Sequence, residues 1–69
     1  MGIMARLSQR QAEIVTKVAR GESQKAIAKQ LGISYSTVRN HMRQARERAD
    51  CRTSLELAIK VDRELRNQT

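Results

Sequence analysis

Sixty-nine residues with 39% hydrophobic content, no Pro, one Cys, one His, one aromatic side chain and a formal charge of +7 describe one small basic domain, of a size that buries only about 60% of its unfolded surface. One Cys cannot close an internal disulfide, and one Cys with one His cannot supply the four ligands of a structural zinc, so disulfide-built and metal-built folds are excluded. No apolar stretch approaches the roughly 18 residues of a membrane span, and residues 1–7 lack the apolar core of a signal peptide, which predicts a cytoplasmic chain with no membrane partner.

The first predicted helix covers about 8–20. Ser8 with Gln11 forms a capping box, Leu7 with Ala12 is placed as a hydrophobic staple, Ile14, Val15, Val18 and Ala19 share one face, and Gly21 supplies a left-handed stop. The second covers about 23–31, with Ser23 as cap, Ile27, Ala28 and Leu31 as apolar stripe and Gly32 as terminator. The third covers about 35–49, opening on Ser34 and keeping the helical period through Val38, Met42, Ala45 and Ala49. Asp50, Cys51 and Arg52 break that period. Thr53 and Glu56 then form a second capping box before Leu55, Leu57, Ala58, Ile59, Val61 and Leu65, a fourth helix over about 54–66.

No segment alternates with period two over strand length, so the chain reads as an all-α four-helix domain spanning 1–69. There is no internal repeat, low-complexity run or linker, and residues 1–4 and 67–69 read as frayed ends. The Met-Gly start carries Arg6 where a myristoylation signal needs Ser or Thr, so a lipid anchor is not expected.

Charge is unevenly placed: residues 1–33 carry +4, residues 34–52 carry +3, and residues 53–69 are neutral. A domain charged in this way attracts a polyanion through its first three quarters and leaves the last quarter for other contacts. Nucleic acid is the first partner this suggests; excess Arg as merely solvated surface is the plainer alternative.

The stretch from Ser23 to Met42 is two short helical segments joined by a Gly-containing turn, a helix-turn-helix. Small Ala28 suits a close helix crossing, Gly32 a positive-φ turn, and apolar Ile33 and Val38 lock the second segment on the first. On a helical wheel Val38, Met42, Ala45 and Ala49 fall within about 60° and mark the core face of the third helix. The opposite face carries Ser36, Arg39, Asn40, Arg43 and Glu47, with Arg46 at its edge. Arg forks bind guanine O6 and N7 and an Asn amide binds adenine N6 and N7, so Arg39, Asn40 and Arg43 are the expected base contacts and this is the expected recognition helix. Glu47 fits a polyanion poorly and is expected either to pair with Arg43 one turn earlier or to lie beyond the groove.

Phosphate contacts are expected at the two helix starts, from Ser23, Gln24 and Lys25 and from Ser34, Tyr35, Ser36 and Thr37, with Arg46 beside them. Ser23 and Ser34 serve equally well as plain caps. Tyr35 alone cannot form the stacking platform of single-strand binders, so duplex DNA is favoured. His41 has no second His and no carboxylate at i±3 or i±4, and reads as packing or a phosphate contact on a helix flank. Cys51 reads as a small apolar plug rather than a nucleophile. With no paired base and no pocket signal, neither an enzyme nor a cofactor is expected.

The fourth helix carries more apolar surface than one core needs. Leu57, Ala58, Val61 and Leu65 share an arc, Leu55 and Ile59 extend it to about 200°, and a helix packed on one side needs roughly 100°. A homodimer through Leu55, Ile59, Asp62 and Arg66 is expected, with the opposite charges pairing across a two-fold axis. The competing expectation is that the core closes over the whole arc, because Ala45 and Ala49 leave space beside it.

Leu7, Ser8, Arg10, Gln11, Glu13 and Ile14, followed by Gly21, Ser23, Lys25, Ile27, Ala28, Leu31, Gly32, Ile33, Ser34, Thr37, Val38, Arg39, Asn40 and His41, resemble the LuxR/GerE type of DNA-binding domain over residues 7–66. The resemblance implies four helices, DNA read by the third, dimerisation commonly through the fourth, and DNA-facing roles for Lys25, Thr37, Arg39, Asn40 and Arg43. This chain departs from that family late in the third helix and after it, where Ala45, Arg46, Ala49, Asp50 and Cys51 replace large aliphatics and a Gly-Val turn. The segment Arg43-Gln-Ala-Arg-Glu-Arg48 also resembles the end of sigma factor region four, which shares the Leu-Ser-Xaa-Arg-Gln start. Members of the first family mostly join this domain to a receiver or ligand-binding domain; none is encoded in these residues, so any signal is expected through a partner, abundance or oligomerisation. A protein-interaction module that pairs with a related regulator or with RNA polymerase is the alternative to a transcription regulator.

Overall fold

The computed structural model describes residues 2–67. A 3-10 helix at Ile3–Arg6 precedes α1 (Gln9–Ala19), α2 (Gln24–Leu31), α3 (Tyr35–Arg48) and α4 (Ser54–Arg66), and among the described residues there is no strand. The all-α, four-helix expectation holds, with each boundary within a residue or so of its predicted place.

Each helix starts where a hydroxyl side chain takes an orphan N–H. Ser8 Oγ accepts from Gln11 N at 3.1 Å while Gln11 Oε1 accepts from Ser8 N at 3.0 Å, so the first capping box is complete. Ser23 accepts from Ala26 N at 3.1 Å and Ser34 from Thr37 N at 3.0 Å. The second box forms only in part: Thr53 Oγ1 accepts from Glu56 N at 3.0 Å, but the Glu56 carboxylate accepts from Arg52 N, at 3.0 Å, rather than from the cap residue. The side chain reaches one residue further back along the turn. Gly32 ends α2 at φ +67, and its N–H points back to the carbonyls of Ala28 and Lys29. The turn from α3 to α4 uses Asp50 at φ +57 instead of a glycine, a conformation that short Asp side chains tolerate better than most.

Helix α1 packs against both α3 and α4, and α2 packs against α3; direct packing of α3 on α4 is slighter. The buried core comprises Ile14 and Val15 from α1, Ile27 and Ala28 from α2, Val38, Met42 and Ala45 from α3, Ala49 and Cys51 from the turn, and Leu57 and Val61 from α4. Gln11 is the buried polar residue, and its Nε2 donates to Gln44 Oε1 at 3.0 Å, tying α1 to α3.

The N-terminal segment departs from expectation. Residues 3 and 4, expected to fray, belong to the 3-10 helix, and Met4 N donates to Glu64 Oε2 of α4 at 2.8 Å. The carboxylate supplies the cap that Gly2 lacks, and it fits because a Cβ at Gly2 would overlap Glu64 Oε1. Ile3, Met4 and Leu7 then pack on the core. Of the expected frayed ends, residues 1, 68 and 69 lie outside the described residues.

Candidate nucleic-acid interface

The turn between α2 and α3 is short because Gly32 reverses the chain within α2's last turn and Ser34 caps the next helix. The outward face of α3 therefore stands beside the start of α2, and an open groove of about 640 Å³ runs along it. Arg39, Asn40 and Arg43 are exposed and line this groove together. Gln24 of α2, Tyr35, Ser36 and Arg46 of α3 and Ser54 of α4 line it as well. Arg39 lies over Tyr35, its Cζ 5.9 Å from the ring centroid. Arg43 Nη1 is 3.6 Å from Glu47 Oε1, the first of the two placements expected for Glu47; at this exposure such a pair is weak, so the guanidinium is not consumed by it.

Of the other residues expected at phosphates, Ser23, Lys25, Ser34 and Thr37 stand outside that groove. Lys25 is exposed near the start of α2. The hydroxyls of Ser23 and Ser34 both act as helix caps, and Thr37 Oγ1 is half-buried 2.8 Å from Ser34 Oγ. Arg46 is half-buried, and its Nη1 donates to Ser54 Oγ at 2.9 Å. Ser54, the first residue of α4, was not singled out by its sequence, because an Arg and a Ser eight residues apart lie on different helices and only the intervening turn brings them together.

His41 is half-buried on α3, and its Nδ1 is buried without a hydrogen-bond partner among the described residues. Cys51 is buried and its thiol donates to Ala49 O at 3.6 Å; burial pushes the thiol above its ordinary range, partly opposed by Lys60, so it is a poor nucleophile. No group of three or more His, Cys, Asp or Glu able to hold a metal occurs among the described residues, and none of their helices is long and apolar enough to cross a membrane.

On α4 the predicted apolar arc divides. Leu57 and Val61 are fully buried, whereas Leu55 is 69% and Ile59 49% exposed. The core does not take them in. They border a shallow hollow of about 330 Å³ with Lys60 and Arg63, neither of them foreseen. Asp62 and Arg66, expected to pair across a two-fold axis, are bridged within the helix at 3.1 Å, and Glu56 and Lys60 at 3.4 Å.

The family model for bacterial regulatory proteins, luxR family, matches residues 5–61. Over 41 residues, 59% of this chain, the sequence is 56% identical to the transcriptional regulatory protein TdiR of Thauera aromatica, and the match spans 18% of that protein's length. No solved structure gives a significant match.

Proposed function

The chain belongs to the luxR family of bacterial regulatory proteins, and on that premise we propose that it is a sequence-specific, duplex-DNA-binding transcription regulator of the cytoplasm. It reads the major groove with α3 and binds as a homodimer through α4. The observation that carries this reading is the placement of Arg39, Asn40 and Arg43 side by side in one open groove. Two guanidinium forks and one amide are the donor set suited to purine edges. Gln24, Tyr35, Ser36 and Arg46 around them, with Lys25 outside the groove, hold the phosphates on either side. Ser23, Ser34 and Thr37 contribute chiefly by capping and ordering the two helix starts whose N–H groups face the backbone.

The second copy seats on Leu55 and Ile59. Residues 53–69 are net neutral, so two copies approach there without the repulsion that the rest of the chain imposes. Asp62 and Arg66, paired within one helix, exchange partners or form the rim of the contact. A two-fold pair presents α3 twice, to inverted half-sites about 10 bp apart.

Selection from random duplex DNA with the purified protein tests this. An enriched inverted motif supports it, while salt-sensitive binding without a motif overturns sequence reading and favours an RNA polymerase or regulator partner on the α4 face.

A further inference from the structure

Arg46 is anchored at both of its ends. Its carbonyl accepts the Cys51 N–H at 2.8 Å, closing the turn after α3, and its Nη1 donates to the Ser54 hydroxyl at 2.9 Å. Ser54 is the first residue of α4, but its hydroxyl is not the helix cap; Thr53 fills that role. The Ser54 side chain is thus not needed to start α4, and it lines the same groove as Arg43, Asn40 and Arg46.

We infer that Ser54 is a positioning residue for DNA binding: its hydroxyl holds the Arg46 guanidinium at the α4 end of the groove, with the remaining N–H donors presented to a phosphate. The inference rests on the duplex-binding reading. A guanidinium carries five N–H donors in a rigid fork, so one bond to a serine oxygen restrains its position and leaves four donors. A free arginine gives up rotamer entropy when it meets phosphate, and Arg46, already tied to Ser54, has lost part of it on folding.

A double-mutant cycle in duplex affinity tests this at fixed salt. Ser54→Ala weakens binding about three- to tenfold on specific and random duplexes alike, with unchanged circular dichroism and melting temperature. In an Arg46→Ala background Ser54→Ala has no further effect, and Ser54→Thr keeps wild-type affinity. Unchanged affinity of Ser54→Ala, or effects of the two alanines that simply add, overturns the inference. Arg39→Ala in the same assay separates the two levels. Loss there with Ser54→Ala neutral removes only the role of Ser54; absence of duplex binding by the wild type removes the duplex reading and this inference with it.

Discussion

On α3 the stripe of Val38, Met42 and Ala45 turns inward and leaves Arg39, Asn40 and Arg43 outside; on α4 the stripe of Leu57 and Val61 turns inward and leaves Leu55 and Ile59 outside. Both helices meet the demand of the core with a narrow band of side chains, so that demand says nothing about the remaining surface. The charges differ as much as the apolar groups. On α4 they cancel along the helix through Glu56 with Lys60 and Asp62 with Arg66. On α3 the one carboxylate, Glu47, reaches Arg43, while Arg39 lies over Tyr35 instead. The outer face of α3 is therefore cationic, and that of α4 is apolar within a charge-balanced frame.

The division on α4 gives the largest expected effect. Leu57→Ala empties a fully buried site and should cost about 2–5 kcal/mol in chemical denaturation. Leu55→Ala, measured at a concentration too low for association, should change stability by less than about 0.5 kcal/mol. Equal costs would mean that the outer face of α4 belongs to the core after all.

On α3 the same kind of truncation should leave folding intact and act on binding. Arg39→Ala and Asn40→Ala should each cost about 1–3 kcal/mol on the preferred duplex and flatten its base preference, with little change on random DNA. Arg43→Ala should fall in the same range, because its exposed pair with Glu47 is weak. Retained site preference in all three variants would show that another surface reads the bases. For α4, Ile59→Glu should give a folded monomer in sedimentation, with weakened binding to an inverted site. A wild type that is itself monomeric when bound to such a site would break the proposed contrast between the two helices.

Most of the fold was legible because each helix carries its own start signal within one turn: Ser8, Ser23, Ser34 and Thr53 all accept the N–H three residues on. The α3 face was legible for the same reason, since residues on one helix have a fixed angular relation. What escaped depends on the joining of distant segments. Nothing local in Gly2 or Met4 shows that Glu64 will cap them, and nothing local in Arg46 shows that Ser54 will accept from it. Gln11 was read as a cap, yet its burial and its bond to Gln44 follow only from how α1 lies on α3. The turn at Asp50 stands where the family resemblance implied a Gly-Val turn: Asp50 takes the left-handed conformation a glycine would take, and Cys51 fills the buried position after it.

The smallest expected effect sharpens the electrostatic half of the comparison. Glu56 sits beside Leu55 at the start of α4, where its carboxylate accepts the Arg52 N–H at 3.0 Å and pairs with Lys60 at 3.4 Å. The backbone bond from Arg52 is the main cause that holds this carboxyl below its ordinary 4.5, with the hydrogen bond and charge of Lys60 adding to it and partial desolvation opposing. Because the folded state binds the proton less tightly than the unfolded chain does, the stabilisation is fully present above that ordinary value and is lost as pH falls through the lower, folded one. The difference in melting temperature between wild type and Glu56→Gln should thus be constant near neutrality and shrink below about 4.5. It should also shrink with added salt, since the group is largely exposed. Protonation leaves Lys60 and Arg63 beside Leu55 and Ile59 without the nearby carboxylate, so the same drop in pH should weaken self-association of the wild type. In Glu56→Gln that balance is already gone at neutral pH. A stability difference that persists unchanged far below the folded pKa would show that Glu56 acts through the shape of its side chain, and that the neutrality of α4 does not depend on it.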